Sequence, residues 1–216
     1  MKSPKKLKEK LKSHPEVIPE SSSIRLHRAI SWYKAAKAQE TDPDISFITY
    51  WIAFNACYGT TEINPLEKKE RDRFAHFTNQ LSAIDKQDML YNILWDKFSG
   101  PIRILIDNKF AFKPFWEAQK GKEIDWEKAF LNEKQKAFKL LTGRNVSELL
   151  QIVIQRLYVV RNQLVHGGAT YKSSVNRAQV KDAQRILNYL IPAIIELMIE
   201  NSDLDWGDIS YPVIEE

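Results

Sequence analysis

The sequence predicts an all-α helical bundle, and three observations support this fold class. Glycine and proline are scarce, at 7 and 9 of 216 residues, which argues against a β-sandwich or barrel with many tight turns. Residues 45–59, ISFITYWIAFNACYG, are apolar on nearly every helical face, as expected of a helix at the centre of a bundle. Residues 145–166 and 176–201 are the two strongest helical segments. We therefore expect one domain with a sizeable core.

Residues 1–23 are expected to form a basic, weakly ordered N-terminal arm, and the single helical domain then spans residues 24–216. Residues 1–12 hold six lysines and one glutamate, whereas the rest of the chain is nearly neutral. A basic arm can contact nucleic acid, and the RNA-binding candidates are Lys5, Lys6, Lys8, Lys10 and Lys12. The alternative is a solvated tail without a binding role.

The first helix of the domain is predicted over residues 24–39. A serine before it is expected to be its cap, either Ser22 or Ser23. The second helix is predicted to begin at Asp42, whose carboxylate accepts hydrogen bonds from free amides. Pro43 follows it and suits the first helical position. This helix is expected to end at Gly59.

Residues 60–143 are predicted to be an inserted, partly irregular helical segment that covers one side of the bundle. Three stretches in it have helical patterns, over residues 66–81, 86–98 and 125–141. Residues 99–124 are irregular, with aromatic side chains around residues 114–116. We expect these aromatics to cover the core, and stacking on nucleic-acid bases is the alternative. Residues 102–107, IRILID, are a candidate short strand.

The helix predicted over residues 145–166 begins with a capping box, Asn145 and Glu148, and ends at a Gly167–Gly168 stop signal. At 100° per residue, one stripe of apolar side chains faces the core: Leu149, Val153, Leu157, Val160 and Leu164. A second apolar strip lies beside it: Leu150, Ile154, Tyr158 and Val165. A polar row lies roughly opposite the core stripe: Gln151, Gln155, Asn162 and His166.

The last predicted helix opens with a second capping box, Asn176 and Gln179. Pro192 is expected to kink it. The irregular tail that follows is expected to pack through Trp206 and Tyr211.

Three side chains at the end of the helix predicted over residues 145–166 have the chemistry to bind a phosphate and transfer a proton. Arg161 is a fixed cation whose planar guanidinium matches phosphate oxygens. His166 can give and take a proton near neutral pH. Asn162 can donate and accept, so it can orient the phosphate or the imidazole. Arg161 lies at the margin of the polar row, from which its long side chain can reach the other two. The alternative is an ordinary helix end, where basic residues complement the helix dipole.

These segments resemble the HEPN superfamily, the higher-eukaryote and prokaryote nucleotide-binding domains, of the Apea-like kind. The resemblance is carried by residues 157–198, from LYVVRNQLVHGG to IPAIIELM, and by FITYWIAFNACYG. It covers roughly residues 24–60 and 145–212. Nucleolytic members carry an arginine, a polar residue directly after it and a histidine a few residues later. Here these are Arg161, Asn162 and His166.

The resemblance implies a HEPN-like helical bundle that forms a homodimer, with the motifs of both chains facing a shared cleft. It implies metal-independent cleavage of RNA, often within antiviral defence or toxin–antitoxin systems, where an antitoxin or another defence protein is a possible partner. Other members of the superfamily are inactive scaffolds or nucleotide binders.

Composition narrows the remaining possibilities. The single cysteine, Cys57, excludes an intramolecular disulfide and a cysteine zinc site, and we expect neither a metal nor a cofactor. The N-terminal residues lack the apolar region of a secretory signal, and no apolar stretch approaches the roughly 20 residues that span a bilayer. We therefore expect a cytoplasmic protein without a membrane partner.

The leading hypothesis is a metal-independent endoribonuclease in which the 2′-hydroxyl of RNA attacks the adjacent phosphate, with Arg161, Asn162 and His166 as catalytic residues. The second hypothesis is a non-catalytic module that binds a nucleotide or a partner protein through Arg161 and His166. A third is a nucleic-acid binder that depends on the lysine arm.

Overall fold

A computed structural model describes residues 2–14, 18–59, 70–174 and 177–214. Within these ranges the fold is an all-α bundle without a β-strand, as predicted. Its helices are α1 (Pro4–Lys12), α2 (Glu20–Ala38), α3 (Pro43–Tyr58), α4 (Glu70–Ile84), α5 (Met89–Lys97), α6 (Arg103–Ile106), α7 (Lys113–Gln119), α8 (Trp126–Thr142), α9 (Val146–Val165) and α10 (Arg177–Glu200). A π-helical turn (Phe98–Ile102) precedes α6, and a 3₁₀ turn (Lys109–Ala111) precedes α7.

Helix α3 is the central element and forms as the sequence predicts. Asp42 is its cap, because its carboxylate accepts a hydrogen bond from the Ile45 amide at 3.3 Å, and Pro43 is in the first turn. The helix ends just before Gly59. Its largest buried side chains are aromatic: Phe47, Tyr50, Trp51 and Phe54. They make α3 the common packing partner of α2, α4, α9 and α10.

Helices α9 and α10 are neighbours in the core. Asn145 is the cap of α9, as predicted, and accepts a hydrogen bond from the Glu148 amide at 3.2 Å. The predicted core stripe is confirmed: Leu149, Val153, Leu157 and Val160 are buried and Leu164 is partly buried. Helix α10 continues through Pro192, and its predicted cap, Asn176, lies outside the described residues. No helix in the described ranges has the length and apolarity that crossing a membrane requires.

Helix α4 differs from the expectation that residues 60–143 only cover the bundle. Its side chains Phe74, Phe77 and Leu81 are buried in the main core. The rings of Phe74 and Tyr58 have centroids 5.0 Å apart. This helix is part of the core because its apolar residues recur at helical spacing against α3 and α9. The origin of the segment as an insertion stays a prediction.

Residues 102–107, the candidate strand, are helical, so that interpretation is wrong. The buried side chains are Ile102, Leu105 and Ile106, whereas Ile104 is exposed. A spacing of three and four residues places the buried side chains on one helical face. The helical period therefore fits their burial, and the two-residue period of a strand does not.

The aromatic side chains around residues 114–116 belong to a small cluster of their own beside α9. The rings of Phe112 and Phe130 have centroids 5.3 Å apart. The guanidinium of Arg156, a buried residue of α9, lies 4.3 Å from the Phe112 centroid and pairs with Glu133 at 2.8 Å. Burial lowers the pKa of Arg156, and the Glu133 carboxylate opposes this. These rings pack on each other, in keeping with the expected covering role.

Helix α2 begins earlier than predicted. Its first residue is Glu20, which follows Pro19, so neither Ser22 nor Ser23 is the cap. The fixed φ of Pro19, −52°, directs the chain into the helix, and the Glu20 carboxylate complements the helix dipole. These two effects start the helix without a serine cap.

Buried Arg25 of α2 joins three parts of the chain. Its guanidinium donates hydrogen bonds to the carbonyls of Cys57 at 3.0 Å, Gly59 at 2.7 Å and Gly207 at 2.7 Å. It thus ties α2 to the end of α3 and to the tail. The Cys57 side chain is fully buried, and burial raises the pKa of its thiol to about 12, so Cys57 is a core residue.

The N-terminal arm is a docked helix and not the weakly ordered segment that its composition predicts. Leu7 of α1 is fully buried in the main core. Lys2 and Lys10 both pair with Glu196 of α10, and Lys10 also pairs with Glu200. The charge run looks like a solvated tail in the sequence because its acidic partners lie nearly 200 residues away in the chain.

The tail was expected to pack through Trp206 and Tyr211, and only Trp206 does so. Trp206 is buried, and its Nε1 donates to the Asn201 carbonyl at 3.0 Å. Its ring lies 6.0 Å from that of Phe77. Tyr211 is 80% exposed, so its predicted packing is wrong.

We predict that Glu196→Gln weakens the docking of α1 by about 1 kcal/mol at neutral pH. Burial alone raises the pKa of Glu196, but hydrogen bonds from Lys2 and Lys10 outweigh burial and hold that pKa below its ordinary value of 4.5. A carboxylate whose folded pKa is depressed stabilises the fold above its unfolded pKa, and this contribution is lost as the pH falls through the folded pKa.

The free-energy difference between wild type and Glu196→Gln is therefore expected to be constant near neutral pH and to shrink below about pH 4.5. Urea unfolding followed by circular dichroism over this pH range measures it. Glu9→Gln, on the exposed face of α1, is the control with little expected effect. A difference between wild type and Glu196→Gln that grows on acidification contradicts the assignment.

Candidate functional site

The end of α9 is a glycine-terminated turn that presents His166. Gly167 has φ of +71°, and its amide donates to the Leu164 carbonyl at 3.2 Å. The Gly168 amide donates to the Gln163 carbonyl at 2.7 Å. A Cβ on Gly168 would lie 3.1 Å from that carbonyl oxygen. Gly167 thus supplies a left-handed backbone conformation, and Gly168 approaches the Gln163 carbonyl more closely than a residue with a side chain easily could. Together they determine where the helix ends.

Arg161 and Asn162 are in direct contact, since the long arginine side chain extends to the polar row. Arg161 Nη1 donates to Asn162 Oδ1 at 2.9 Å. The guanidinium lies 5.9 Å from the centroid of the Tyr158 ring, and both residues of the pair are partly buried. Arg161 Nε is buried, and no atom of the described chain accepts from it. The asparagine therefore holds the guanidinium at the edge of the polar row.

His166 is exposed at the end of this row. It lies one turn beyond Asn162 on the same helical face, and its backbone amide donates to the Asn162 carbonyl at 3.0 Å. Within the described residues its imidazole has no hydrogen-bonding partner. His166 is five positions after Arg161, about 140° around the helix. Arg161 and Asn162 thus contact each other, whereas in the described chain neither is hydrogen-bonded to the imidazole.

The polar row of α9 is divided into two parts. Its first half, Gln151 and Gln155, lines a cleft of about 270 Å³ against α8, together with Asn132, Glu133 and Lys136. Only its second half lies at the open end of the helix. In the described ranges no three His, Cys, Asp or Glu side chains are grouped as ligands for a metal ion.

Aromatic packing holds one side of the α9 end. The Tyr158 ring lies 6.0 Å from Trp51 of α3 and 6.1 Å from Phe74 of α4. The start of α4 therefore lies beside the face from which Arg161 extends. Tyr158, predicted in the second apolar strip, gives Arg161 an aromatic surface to lie on.

A network of three amide side chains holds the other side. Gln163 Nε2 donates to the Phe110 carbonyl at 2.6 Å, and Gln163 Oε1 accepts from Gln179 Nε2 at 2.9 Å. Gln179 Oε1 accepts from Asn108 Nδ2 at 3.0 Å, and Asn108 Oδ1 accepts from the Phe110 amide at 2.9 Å. Each amide orientation fixes the next, so only one arrangement satisfies all of them.

The loop after the motif is attached to the start of α3. The Tyr171 hydroxyl donates to the Asp42 carboxylate, and the Lys172 amide donates to Asp44 Oδ2 at 2.9 Å. The Tyr171 hydrogen bond, together with the Ile45 amide and the Lys172 charge, outweighs burial and holds the pKa of Asp42 below its ordinary value. The central helix thus fixes the chain on the far side of His166.

Sequence reasoning missed Gln163 and Gln179 as residues of the site. Gln163 lies inside the motif, but its role in holding the helix end is visible only from its hydrogen-bonding partners. One of these partners is the backbone carbonyl of Phe110, which no sequence pattern identifies. Gln179 was assigned only to the second capping box. Both contacts join residues far apart in the chain, beyond the reach of helical periodicity.

The lysines predicted to bind RNA lie far from the motif. Gln179 contacts the end of α9, whereas Lys10 pairs with Glu196, which is 17 residues further along α10. At 1.5 Å per residue that separation is about 25 Å. Lys10 is occupied by Glu196 and Glu200, and Lys5 lies 3.9 Å from Glu9. The exposed candidates on this helix are Lys5, Lys6, Lys8 and Lys12, and of these only Lys5 has a carboxylate within ion-pair distance in the described chain. RNA binding by these lysines stays a prediction.

We predict that Gln163→Glu destabilises the protein by about 2 kcal/mol at pH 7.5, because a carboxylate then faces the Phe110 carbonyl without a donor. The repulsion favours the protonated acid, which can donate to that carbonyl, so the loss of stability is expected to shrink toward pH 5. Urea unfolding at both pH values measures it. Gln135→Glu, on the exposed face of α8, is the control. A loss independent of pH contradicts the donor role of Gln163.

Comparison of this chain with protein-family models, curated proteins and solved structures finds no match. The function is therefore inferred from the side chains at the end of α9 and from their surroundings.

Proposed function

We propose that the protein is a metal-independent endoribonuclease whose catalytic residues are Arg161, Asn162 and His166. The observation that carries the proposal is the Arg161–Asn162 hydrogen bond beside an exposed His166. It brings a fixed cation, an orienting amide and a proton-transfer group to the open end of one helix.

In the proposed reaction the 2′-hydroxyl of a ribose attacks the adjacent phosphorus, and the bond to the 5′-oxygen of the next nucleotide breaks. His166 takes the proton of the attacking hydroxyl. Arg161 stabilises the charge that develops on the phosphate oxygens, and Asn162 holds its guanidinium in place. The product ends in a 2′,3′-cyclic phosphate, and DNA is not a substrate because it lacks the 2′-hydroxyl.

The resemblance of the motif helices to the HEPN superfamily supports this assignment. It extends the proposal to a role in antiviral defence, or as the toxin of a toxin–antitoxin pair with an antitoxin as partner. The all-α bundle is compatible with that family, and the order of motif, double glycine and following helix agrees with it.

We also propose a homodimer in which the ends of two α9 helices meet across a two-fold axis. Three exposed apolar side chains near this end support such a contact: Ile45, Val165 and Tyr171. Tyr171 is held at the start of α3 through Asp42, three residues before Ile45. A second His166 in the same cleft would protonate the leaving 5′-oxygen.

A non-catalytic module that binds a nucleotide or a partner protein is the second candidate. The partial burial of Arg161 favours it, because Asn162 already occupies one of its amino groups. Such a module binds a phosphate at the same place without breaking a bond. Incubation of the pure protein with mixed RNA separates the candidates, since only the enzyme yields fragments with cyclic phosphate ends.

We predict that His166→Ala lowers the rate of cleavage of a labelled RNA by about 10²–10⁴-fold, the usual scale of general acid–base catalysis. Stability is expected to change by less than about 1 kcal/mol, because the exposed imidazole fills no core cavity. Rates and thermal melts of both proteins are the measurements. Equal cleavage rates and equal stability of wild type and His166→Ala would show that His166 has no catalytic role and is only a residue of an ordinary helix end.

Arg161 variants complete this test. Arg161→Ala is expected to lower the rate, and Arg161→Lys is expected not to restore it, since lysine keeps the charge but cannot engage both Asn162 and a phosphate with one planar group. Excess EDTA is expected to leave the wild-type rate unchanged. Full activity of Arg161→Lys contradicts the proposed contact geometry.

We predict that the active protein is a dimer at micromolar concentration and that Val165→Asp shifts it toward monomer. An aspartate at this exposed position places two like charges at the two-fold contact. Light scattering gives the mass, and Leu131→Asp on the exposed face of α8 is the matched control. A monomeric wild type that retains activity contradicts the dimer.

A further inference from the structure

Lysines of a different segment lie beside the motif. The turn formed by residues 109–113 comprises the 3₁₀ turn, Phe112 and the first residue of α7. Gln163, three residues before His166, donates to the Phe110 carbonyl of this turn at 2.6 Å. Three residues correspond to about 4.5 Å along α9 and about 60° around it. The 109–113 turn therefore lies next to the exposed imidazole, whereas α1 lies about 25 Å away along α10.

The turn is held in place from both sides. Besides Gln163, the indole Nε1 of Trp116 donates to the same Phe110 carbonyl at 2.8 Å. The Phe110 amide donates to Asn108 Oδ1 at 2.9 Å. A turn fixed by three hydrogen bonds presents its side chains without the ordering cost of a flexible loop.

The charge on this segment is strongly positive. Residues 109–122 contain four lysines and one glutamate: Lys109, Lys113, Lys120, Lys122 and Glu117. Lys122 pairs with Glu117 at 2.9 Å, which neutralises one of the four. Lys109 and Lys113 are both exposed. In the described chain no carboxylate lies within ion-pair distance of either.

Lys109 is partly ordered by aromatic rings. Its Nζ lies 5.3 Å from the centroid of Phe110 and 5.5 Å from that of Phe115. A cation over aromatic rings keeps its charge available to solvent while the ring faces restrict its rotamers. Such a lysine is suited to a phosphate contact, which needs a positive charge and little sequence recognition.

We infer that Lys109 and Lys113 bind the RNA backbone beside the reacting phosphate, so that the 109–113 turn is the substrate track of the site. The inference rests on the proposed ribonuclease function. The turn and Arg161 flank the end of α9 on opposite sides, and His166 lies between them around the helix. Single-stranded RNA that crosses this end with its reacting phosphate between His166 and Arg161 would place the next phosphates along the chain at the two lysines. The track makes α1, despite its lysine content, unnecessary for binding near the motif.

The test compares two charge-matched double variants. Lys109→Gln/Lys113→Gln removes two charges from the turn, and Lys6→Gln/Lys8→Gln removes two exposed charges from α1 and leaves the Lys2 and Lys10 pairs intact. The probe is a fluorescein-labelled, single-stranded 2′-O-methyl RNA, which lacks the attacking hydroxyl and so reports binding without cleavage. Fluorescence anisotropy over a series of salt concentrations gives the affinity and its salt dependence, and thermal melts verify folding.

The turn variant is expected to bind on the order of tenfold more weakly at about 0.1 M salt and to lose about 1.4 from the slope of log affinity against log salt. The α1 variant is expected to lose less affinity than the turn variant, because its lysines lie about 25 Å from the motif, beyond the screening length of about 10 Å at this salt concentration. With cleavable RNA the turn variant is expected to raise KM and keep kcat, as a residue that contributes uniform binding does.

The outcomes separate this inference from the proposed function. Wild-type affinity in the turn variant, or a larger loss in the α1 variant, overturns the substrate track and leaves the ribonuclease proposal standing. Binding that depends on the turn, in a protein that cleaves no RNA, supports the track and overturns the catalysis. A wild type that binds no single-stranded RNA overturns both.

Discussion

The arrangement of the candidate site depends on where α9 stops. The last turn of α9 extends out of the core, and it is held there by the hydrogen bonds of Gln163. The carbonyl of Gln163 accepts from Gly168, which ends the helix, and its side chain bonds to Phe110 and Gln179, which fixes the direction of the exit. With both groups engaged, His166 is presented to solvent by a rigid helix end, the condition under which a proton-transfer group can be aimed.

Sequence reasoning reached the parts of this arrangement that are local. The caps at Asp42 and Asn145, the double glycine and the core stripe of α9 all follow from residues within one or two turns of each other, and all are present. It failed where a contact joins distant segments. The docking of α1 depends on Glu196, and the role of Gln163 depends on the Phe110 carbonyl. Neither partner is marked by any periodicity.

The run of lysines at the N-terminus was a poor guide to the position of lysines near the motif, for a physical reason. A run of lysines is conspicuous in the sequence, but a charge contributes to binding only when it is free and near the reacting group. Lys2, just before α1, and Lys10 within it pair with Glu196 of α10, and these ion pairs hold α1 to the bundle. In the 109–113 turn two lysines, separated by apolar residues, lie beside the motif because the Gln163 side chain donates to the Phe110 carbonyl.

Two fully buried arginines, Arg25 and Arg156, contrast with Arg161 in how their guanidinium groups are used. Arg25 donates to three carbonyls, and Arg156 is paired with Glu133 between aromatic rings, so both guanidinium groups are used to join segments. Arg161 donates only to Asn162 within the described chain, and its Nε is buried without an acceptor there. An unmet donor of this kind costs on the order of 1–3 kcal/mol. The buried Nε of Arg25 lacks an acceptor as well, but both amino groups of Arg25 bond to carbonyls of the fold. Arg161 makes one hydrogen bond at an open helix end, so its remaining amino group stays available for a phosphate.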